Sequence, residues 1–504
     1  MVGKDMAMRF SGWMMGCVLV LQASSALAGT NAKEAARLQN ILQAQVDAVA
    51  AVRKTDGGLE VFGKVSVIQD REQYNVVLPD MHLRLDAARK LAVGGIKLGL
   101  VPDETGVWRV GIRLPEKMDV LDASRQVIGR VSLGKQSMGG LWHEKVGNFI
   151  QYAMTVDKIR LTTNDGMQMD LEALQGVRNM QRDEKGLWSG QDKLNMSGFH
   201  VRESGKPDLL RIGHVEAITS MNLFDLEKIR GLSSELQSSL ARTPDKALTE
   251  EEISQVVLSF FSKMADLVGG GALQMDVRDI SFQDPETGTG VDVDNLAFGL
   301  AATALASPQS GLRMTYAQKG VAMHPPMAEP DIVPHEMSLT INASRLPLRM
   351  ILKTWMDMLG QVAILPQGEA RQALMTKAED VIHARMVKEG TTFDAKLAGV
   401  FGDVDIKGAV HGTTSDVSPA RIEGAATLRI SGLEDLVAAA SRTVISDPSH
   451  PVVQLLPFLA SMQASALQEM ENGKPVDMFK VELGPDGVPV FNENPAAIQR
   501  PDGK

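Results

Sequence analysis

Apolar positions along this chain recur with two different periods. Over residues 32–53, Leu38, Ile41, Leu42 and Val46 fall at helical spacing with no Gly or Pro between them, which predicts an opening helix. Beyond it the period drops to two. Residues 61–68, 74–78, 81–85, 96–101, 107–114 and 127–133 alternate or cluster apolar side chains between turn signals and read as short strands. Asp103-Glu104-Thr105-Gly106 is a turn between two of them. Ile159 and Leu161 lead through Asn164-Asp165-Gly166 to Met167, Met169 and Leu171, and Leu194 and Met196 repeat the alternation. Strands and turns at this spacing predict antiparallel sheet built from hairpins and meanders.

The polar stretch Arg242-Thr243-Pro244-Asp245-Lys246 reads as a linker. It separates an N-terminal β-rich α+β region, 29–241, from a C-terminal α+β region, 247–491, which a polar tail follows at 492–504. Thr249 and Glu252 make a capping box. The stripe Ile253, Val256, Val257, Phe260, Met264 and Leu267 then predicts a helix over 251–268 that stops at Gly269-Gly270-Gly271. Leu273, Met275 and Val277 open a strand, and 291–300 is another. A helical pair over 346–388 breaks near Pro366, and strands return at 393–397, 404–409 and 422–430. A last helix is expected over 452–470. Phe479, Val481 and Leu483 then turn through Pro485-Asp486-Gly487 to Val488 and Val490 as a hairpin.

Three strand ends run straight into amphipathic helices: Met221-Asn222-Leu223 into Leu226, Leu339-Thr340-Ile341 into Leu346, and Leu428-Arg429-Ile430 into Leu433. A strand–helix unit cannot bury its own apolar face, so its repetition implies neighbours laid side by side. The expected fold class is α+β: a large, curved, mostly antiparallel β-sheet built of meanders with amphipathic helices packed along one side.

Residues 1–28 have the layout of a secretory signal peptide. Lys4 and Arg9 precede an apolar stretch from Trp13 to Leu21, and Ala26-Leu27-Ala28 offers small residues for cleavage before Gly29. No twin arginine is present, so the general secretion route is expected. Cys17, the single cysteine, lies inside this segment, where Met14-Met15-Gly16 is a poor lipidation context. The apolar core is short of the ~20 residues that a retained span needs, and no later stretch reaches that length. With no cysteine left after residue 28, a bacterial periplasm is the expected compartment of the mature chain.

Composition narrows the chemistry. Fifty-two Lys and Arg against 62 Asp and Glu give a net charge of −10, which disfavours phosphate-backbone partners such as nucleic acid. One cysteine excludes disulfide frameworks, CxxC pairs and cysteine zinc sites. There is no GxSxG elbow, P-loop, GxGxxG or HExxH. Met323-His324-Pro325-Pro326-Met327 with His335 and Met337 has the ligand types that suit copper, but methionine is more often packing. Asp292-Val293-Asp294-Asn295 has oxygen ligands for calcium. Its alternation instead puts both carboxylates on one solvent face of a strand, with no glycine at the loop position. A scattered triad would draw on His82, His143, His200, His214, His324, His335, His383, His411 or His450, none of which has a nucleophile pattern beside it. No catalytic, cofactor-binding or metal-ligating residue is therefore assigned, and no cofactor is expected. The chain carries 28 methionines against 14 phenylalanines, five tryptophans and three tyrosines, a supply of flexible side chains suited to an apolar groove. The polar faces of the helices over 251–268 and 452–470 lack the Lys and Arg of membrane-surface helices, so packing on the sheet is expected of them.

The chain resembles the YdgA-like and AsmA-like envelope proteins of proteobacteria, including alphaproteobacterial relatives of unknown function. The resemblance is carried by the strand-to-helix segment Ala426-Thr427-Leu428-Arg429-Ile430-Ser431-Gly432-Leu433-Glu434-Asp435-Leu436, by Gly186-Leu187-Trp188-Ser189-Gly190 before a strand, and by the closing hairpin over 479–490. It implies an elongated, β-rich periplasmic protein connected with lipid handling, and it supplies no catalytic residues. The chain departs from AsmA-like proteins in having no clear retained anchor.

The functional expectation is non-enzymatic: binding of a lipid or other apolar ligand, or scaffolding, in envelope maintenance. It fails if helices fully close the apolar sheet face. The alternatives are a module that binds an envelope protein partner through a sheet edge, and a hydrolase with a triad outside the standard motifs.

Overall fold

The computed structural model describes residues 32–240 and 266–495, with isolated positions between 256 and 264. Within those ranges it excludes 55–57, 87, 306, 308, 325–333, 365–367, 419–420, 447–450, 455, 472–473 and 493. The candidate signal peptide, the linker at 242–246 and most of the helix expected over 251–268 lie outside the described residues. Among the described residues strand makes up 57% and helix 23%, so sheet dominates an α+β fold that is open, curved and mostly antiparallel. The chain divides into two compact units, Met1–Val268 and Gly269–Lys504.

The first unit opens with α1 (Ala32–Lys54). Nine short strands follow: β1 (Leu59–Phe62), β2 (Ser66–Asp70), β3 (Gln73–Val77), β4 (Asp80–Arg84), β5 (Lys90–Val93), β6 (Lys97–Pro102), β7 (Val107–Arg113), β8 (Lys117–Leu121) and β9 (Val127–Ser132). Then come β10 (Gln136–His143) and the long strands β11 (Asn148–Thr163), β12 (Met167–Arg182), β13 (Trp188–Glu203) and β14 (Asp208–Phe224). The chain alternates between two wings, β2–β3–β6–β7–β10 and β1–β4–β5–β8–β9. Both wings join the same edge of β11, β10 along its first half and β9 along its last residues. The other edge of β11 continues as the meander β12–β13–β14. Helix α1 packs on both β1 and β2, the outermost strands of the two wings.

Side chains from α1 and both wings form one core, including Leu38, Leu42, Val46, Tyr74, Leu91, Trp108, Val120 and Val156. Burying each such side chain contributes roughly 1.5–3 kcal/mol. A buried polar cluster fixes α1 to the turn after β10. The Glu144 carboxylate, 2% exposed, accepts from Trp108 Nε1 at 2.7 Å and Arg37 Nη2 at 3.0 Å, and Arg37 also pairs with Glu34. Arg230 of α2 (Leu226–Leu240) donates to the carbonyls of Glu144 and Lys145 at 2.5 and 3.1 Å.

The second unit is a single meander. Long strands β15 (Val268–Gln283), β16 (Gly290–Thr303), β17 (Ser310–His324) and β18 (Glu336–Leu346) precede helices α3 (Leu348–Ile364) and α4 (Glu369–Glu389). Strands β19 (Thr392–Phe401), β20 (Val404–Thr414) and β21 (Ile422–Ser431) lead to α5 (Leu433–Ser446), a 3₁₀ turn at Pro451–Gln454 and α6 (Leu456–Ser465). The chain closes with β22 (Leu467–Glu471), β23 (Lys474–Leu483), β24 (Pro489–Phe491) and β25 (Asn494–Pro495). Pairing runs β15 through β21 in order and then to β23, whose other edge is shared by β22 and β24. The helix expected over 452–470 is therefore corrected: it stops at Ser465, and 467–471 is strand. The free half-edge of β23 offers backbone partners that outweigh the helix propensity of Leu467, Gln468 and Glu469.

The three strand-to-helix junctions read from the sequence are β14 into α2, β18 into α3 and β21 into α5, each with a left-handed residue just before the helix: Leu223, Arg345 and Gly432. Helix α4 is tied to strand ends, with Asp380 bonded to Arg421 and His383 to the Arg421 carbonyl.

The long strands kink in register. In the first unit Lys158 and Gly198 take φ of +52° and +62°, and the ladder skips Lys158 opposite Glu172 and Gly198 opposite Gly213. Side-chain alternation changes phase there, so that Val156 and Ile159 enter the same core. In the second unit Asp279 and Gly320 take φ of +54° and +65°, and the ladder skips Asp279, Asp294 and Gly320. Gly320 has a further reason to be glycine: a Cβ there would collide with the Asp294 carboxylate.

Candidate functional site

Register in the second unit aligns apolar side chains into rows that cross the whole sheet. One row reads Met275, Phe298, Tyr316, Leu339, Leu397, Gly408, Leu428 and Phe479 on successive strands from β15 to β23. The next reads Leu273, Leu300, Met314, Ile341, Ala395, Val410, Ala426 and Val481. Because side chains alternate, these rows share one face. The intervening row, Gln274, Gly299, Thr315, Thr340, Lys396, Ala409, Thr427 and Lys480, marks the opposite face as polar.

Helices cover part of the apolar face. Leu433, Leu436 and Val437 of α5 and Leu459 and Met462 of α6 pack with Ile406, Leu428, Ile430 and Phe479. Toward β15 the rows stay in contact with water: Met275 is 38% exposed, Leu300 41% and Leu397, on β19, 38%. Two polar side chains on this face satisfy each other, Tyr316 Oη donating to Gln318 Oε1 at 2.6 Å, while Gln318 Nε2 donates to the Pro334 carbonyl at 3.2 Å.

The first unit treats its corresponding surface differently. Met154, Leu194 and Met196 pack against its closed core. The ion pair Arg178–Asp192, at 2.5 and 2.6 Å, then interrupts the apolar run, with the guanidinium 5.5 Å from the centre of the Tyr152 ring. Burial works to lower the pKa of Arg178, but its bonds to Asp192 outweigh that and hold it raised.

The other candidate chemistry is dispersed. His324 and Met323 are consecutive on β17 and point to opposite faces, so they do not converge on one ion; Met327 lies outside the described residues. His324 Nε2 instead bonds Asp292 at 2.7 Å, and His335 Nδ1 bonds the Val321 carbonyl at 3.2 Å. Asp294 lies over Gly320 at the kink. Among the described residues no group of three His, Cys, Asp or Glu side chains is placed to hold a metal ion.

His200 pairs with Asp208 at 2.8 Å and His411 with Asp394 at 2.7 Å, and His82 lies 3.7 Å from Glu60. None of the described histidines is hydrogen-bonded to a serine hydroxyl, and His450 lies outside them. His143 accepts from the Val146 N–H at 3.3 Å and meets Trp188 edge-on at 5.6 Å; burial pushes its pKa down. An enclosed apolar cavity of about 10 Å³ beside Glu144, Trp108 and Leu42 has room for about one water.

Among the described residues no helix is long and apolar enough to cross a membrane. A scan against protein-family models, a search of the curated proteins and a search of the solved structures each return no match to this chain.

The rows themselves are not legible in the sequence: alternation within a strand is, as at Leu273, Met275 and Val277, but the register that lines one strand up with the next is not.

Proposed function

We propose that this chain is a non-enzymatic protein of the bacterial periplasm that binds lipid acyl chains on the open apolar face of β15–β19. The observation that carries this reading is the pair of in-register apolar rows whose side chains remain in contact with water. At ~4.8 Å between strands, β15 to β19 offers about 19 Å of apolar track. That length accommodates one acyl chain, which spans roughly 15 Å in half of a bilayer core. Each methylene withdrawn from water contributes about 0.8 kcal/mol. The signal-peptide layout of the sequence over 1–28 supports the compartment, and the resemblance to YdgA-like and AsmA-like proteins supports the ligand class.

The test is native mass spectrometry of the chain purified from its own periplasm without detergent, followed by organic extraction. A bound lipid that is lost in Leu300→Asp is the expected result. A clean apoprotein mass, unchanged after incubation with envelope phospholipid vesicles, overturns the reading and favours a protein-binding module.

A further inference from the structure

The open face carries an oxidisable group on β15. Met275 lies mid-strand on β15, opposite Phe298 and between Leu273 and Val277 on the same face, with 38% of its surface in water. Its neighbours in the row are hydrocarbon, so the thioether is the group there that dissolved peroxide attacks. Resting on the lipid-binding reading above, we propose that Met275 is a reversible oxidation site that switches the apolar face from ligand-accepting to ligand-rejecting.

The chemistry balances with hydrogen peroxide as the oxidant. A sulfur lone pair takes the distal peroxide oxygen, the S–O bond forms as the O–O bond breaks, and water leaves. Sulfur is oxidised by two electrons and the peroxide oxygens are reduced by two. The product is a sulfoxide, a polar acceptor where the thioether was apolar. Leu273, Val277 and Phe298 have no side-chain donor to offer it. An acyl chain lying over the row would bury the sulfoxide oxygen without a partner, which is unfavourable. A methionine sulfoxide reductase with a dithiol reductant removes the oxygen as water and restores the face.

The experiment uses the full mature chain and anthroyloxy-labelled stearic acid as the probe. Wild type, Met275→Leu and Met470→Leu are each measured before and after peroxide, each against its own untreated form. Met470, on β22 and 72% exposed, oxidises readily and lies outside the apolar rows, so its substitution serves as the control. Peptide mass spectrometry reads sulfoxide at positions 275 and 470.

Treated wild type and Met470→Leu are expected to bind the probe about tenfold more weakly, and Met275→Leu less than about twofold more weakly. Reductase treatment should return wild type to its starting affinity. Full sulfoxide at Met275 with unchanged affinity overturns the proposal, as does equal loss in Met275→Leu. So does a Met275 that stays unoxidised while Met470 converts. Absence of probe binding before any peroxide is added overturns the lipid-binding reading and this one with it.

Discussion

The two units apply the same strand alternation to opposite ends. In the first, a second wing and α1 close over the apolar face, and Tyr74, Leu91, Val120 and Val156 lose all or nearly all contact with water. In the second, apolar rows remain partly exposed, and the small core at Val404, Ile430, Leu433 and Phe479 forms where α5 and α6 fold over the sheet. Alternation declares that one face of a strand is apolar; it does not say what will cover that face. The first unit therefore concentrates burial, and with it stability, while the second keeps an apolar face available.

The strongest test of this contrast is truncation in each unit. Trp108→Ala should cost about 3–5 kcal/mol in urea unfolding, through the cavity and the lost bond to Glu144. Leu300→Ala should cost less than about 1 kcal/mol, because its site is already wet. Equal costs would remove the distinction between the units.

A smaller effect is expected at the kink. Gly320→Ala should destabilise by about 1–2 kcal/mol from the left-handed backbone alone, with the clash against Asp294 adding to it. Retention of full stability would mean the kink relaxes easily.

The pH profile sharpens the comparison further. Burial holds the folded-state pKa of His143 below its ordinary 6.5, so the unfolded chain takes up the proton first as pH falls. The associated stability is complete above that ordinary value and is lost as pH drops through the folded one. Urea midpoints at about pH 7.5 and 5.5 should differ less in His143→Gln than in wild type. Leu300→Asp should cost at most about 1–2 kcal/mol in stability, and its main effect should appear in lipid retention instead.

Much of the fold was legible because its signals are local. The α1 stripe, the Asn164-Asp165-Gly166 turn, the helix pair expected over 346–388 and the closing hairpin all rest on neighbours in sequence, and the structure has each of them. Strand length was not legible. Leu273, Met275 and Val277 open a strand whose end is not legible, because the left-handed Asp279 interrupts the alternation; β15 continues to Gln283. The 467–471 strand was hidden for another reason: its helix-forming residues become a strand only beside β23. Of the site, methionine abundance hinted at an adaptable apolar surface. The rows depend on register between strands far apart in sequence, which no single segment contains.

The kink acts as a crease folded through several strands at once. A single-residue insertion upstream in one strand would move that strand's left-handed position off the crease and turn its apolar side chains to the wrong face. Lengthening is tolerated only at the hairpin tips or by adding whole hairpins that carry their own crease residue. In evolutionary terms the sheet can widen by duplication far more readily than it can lengthen strand by strand.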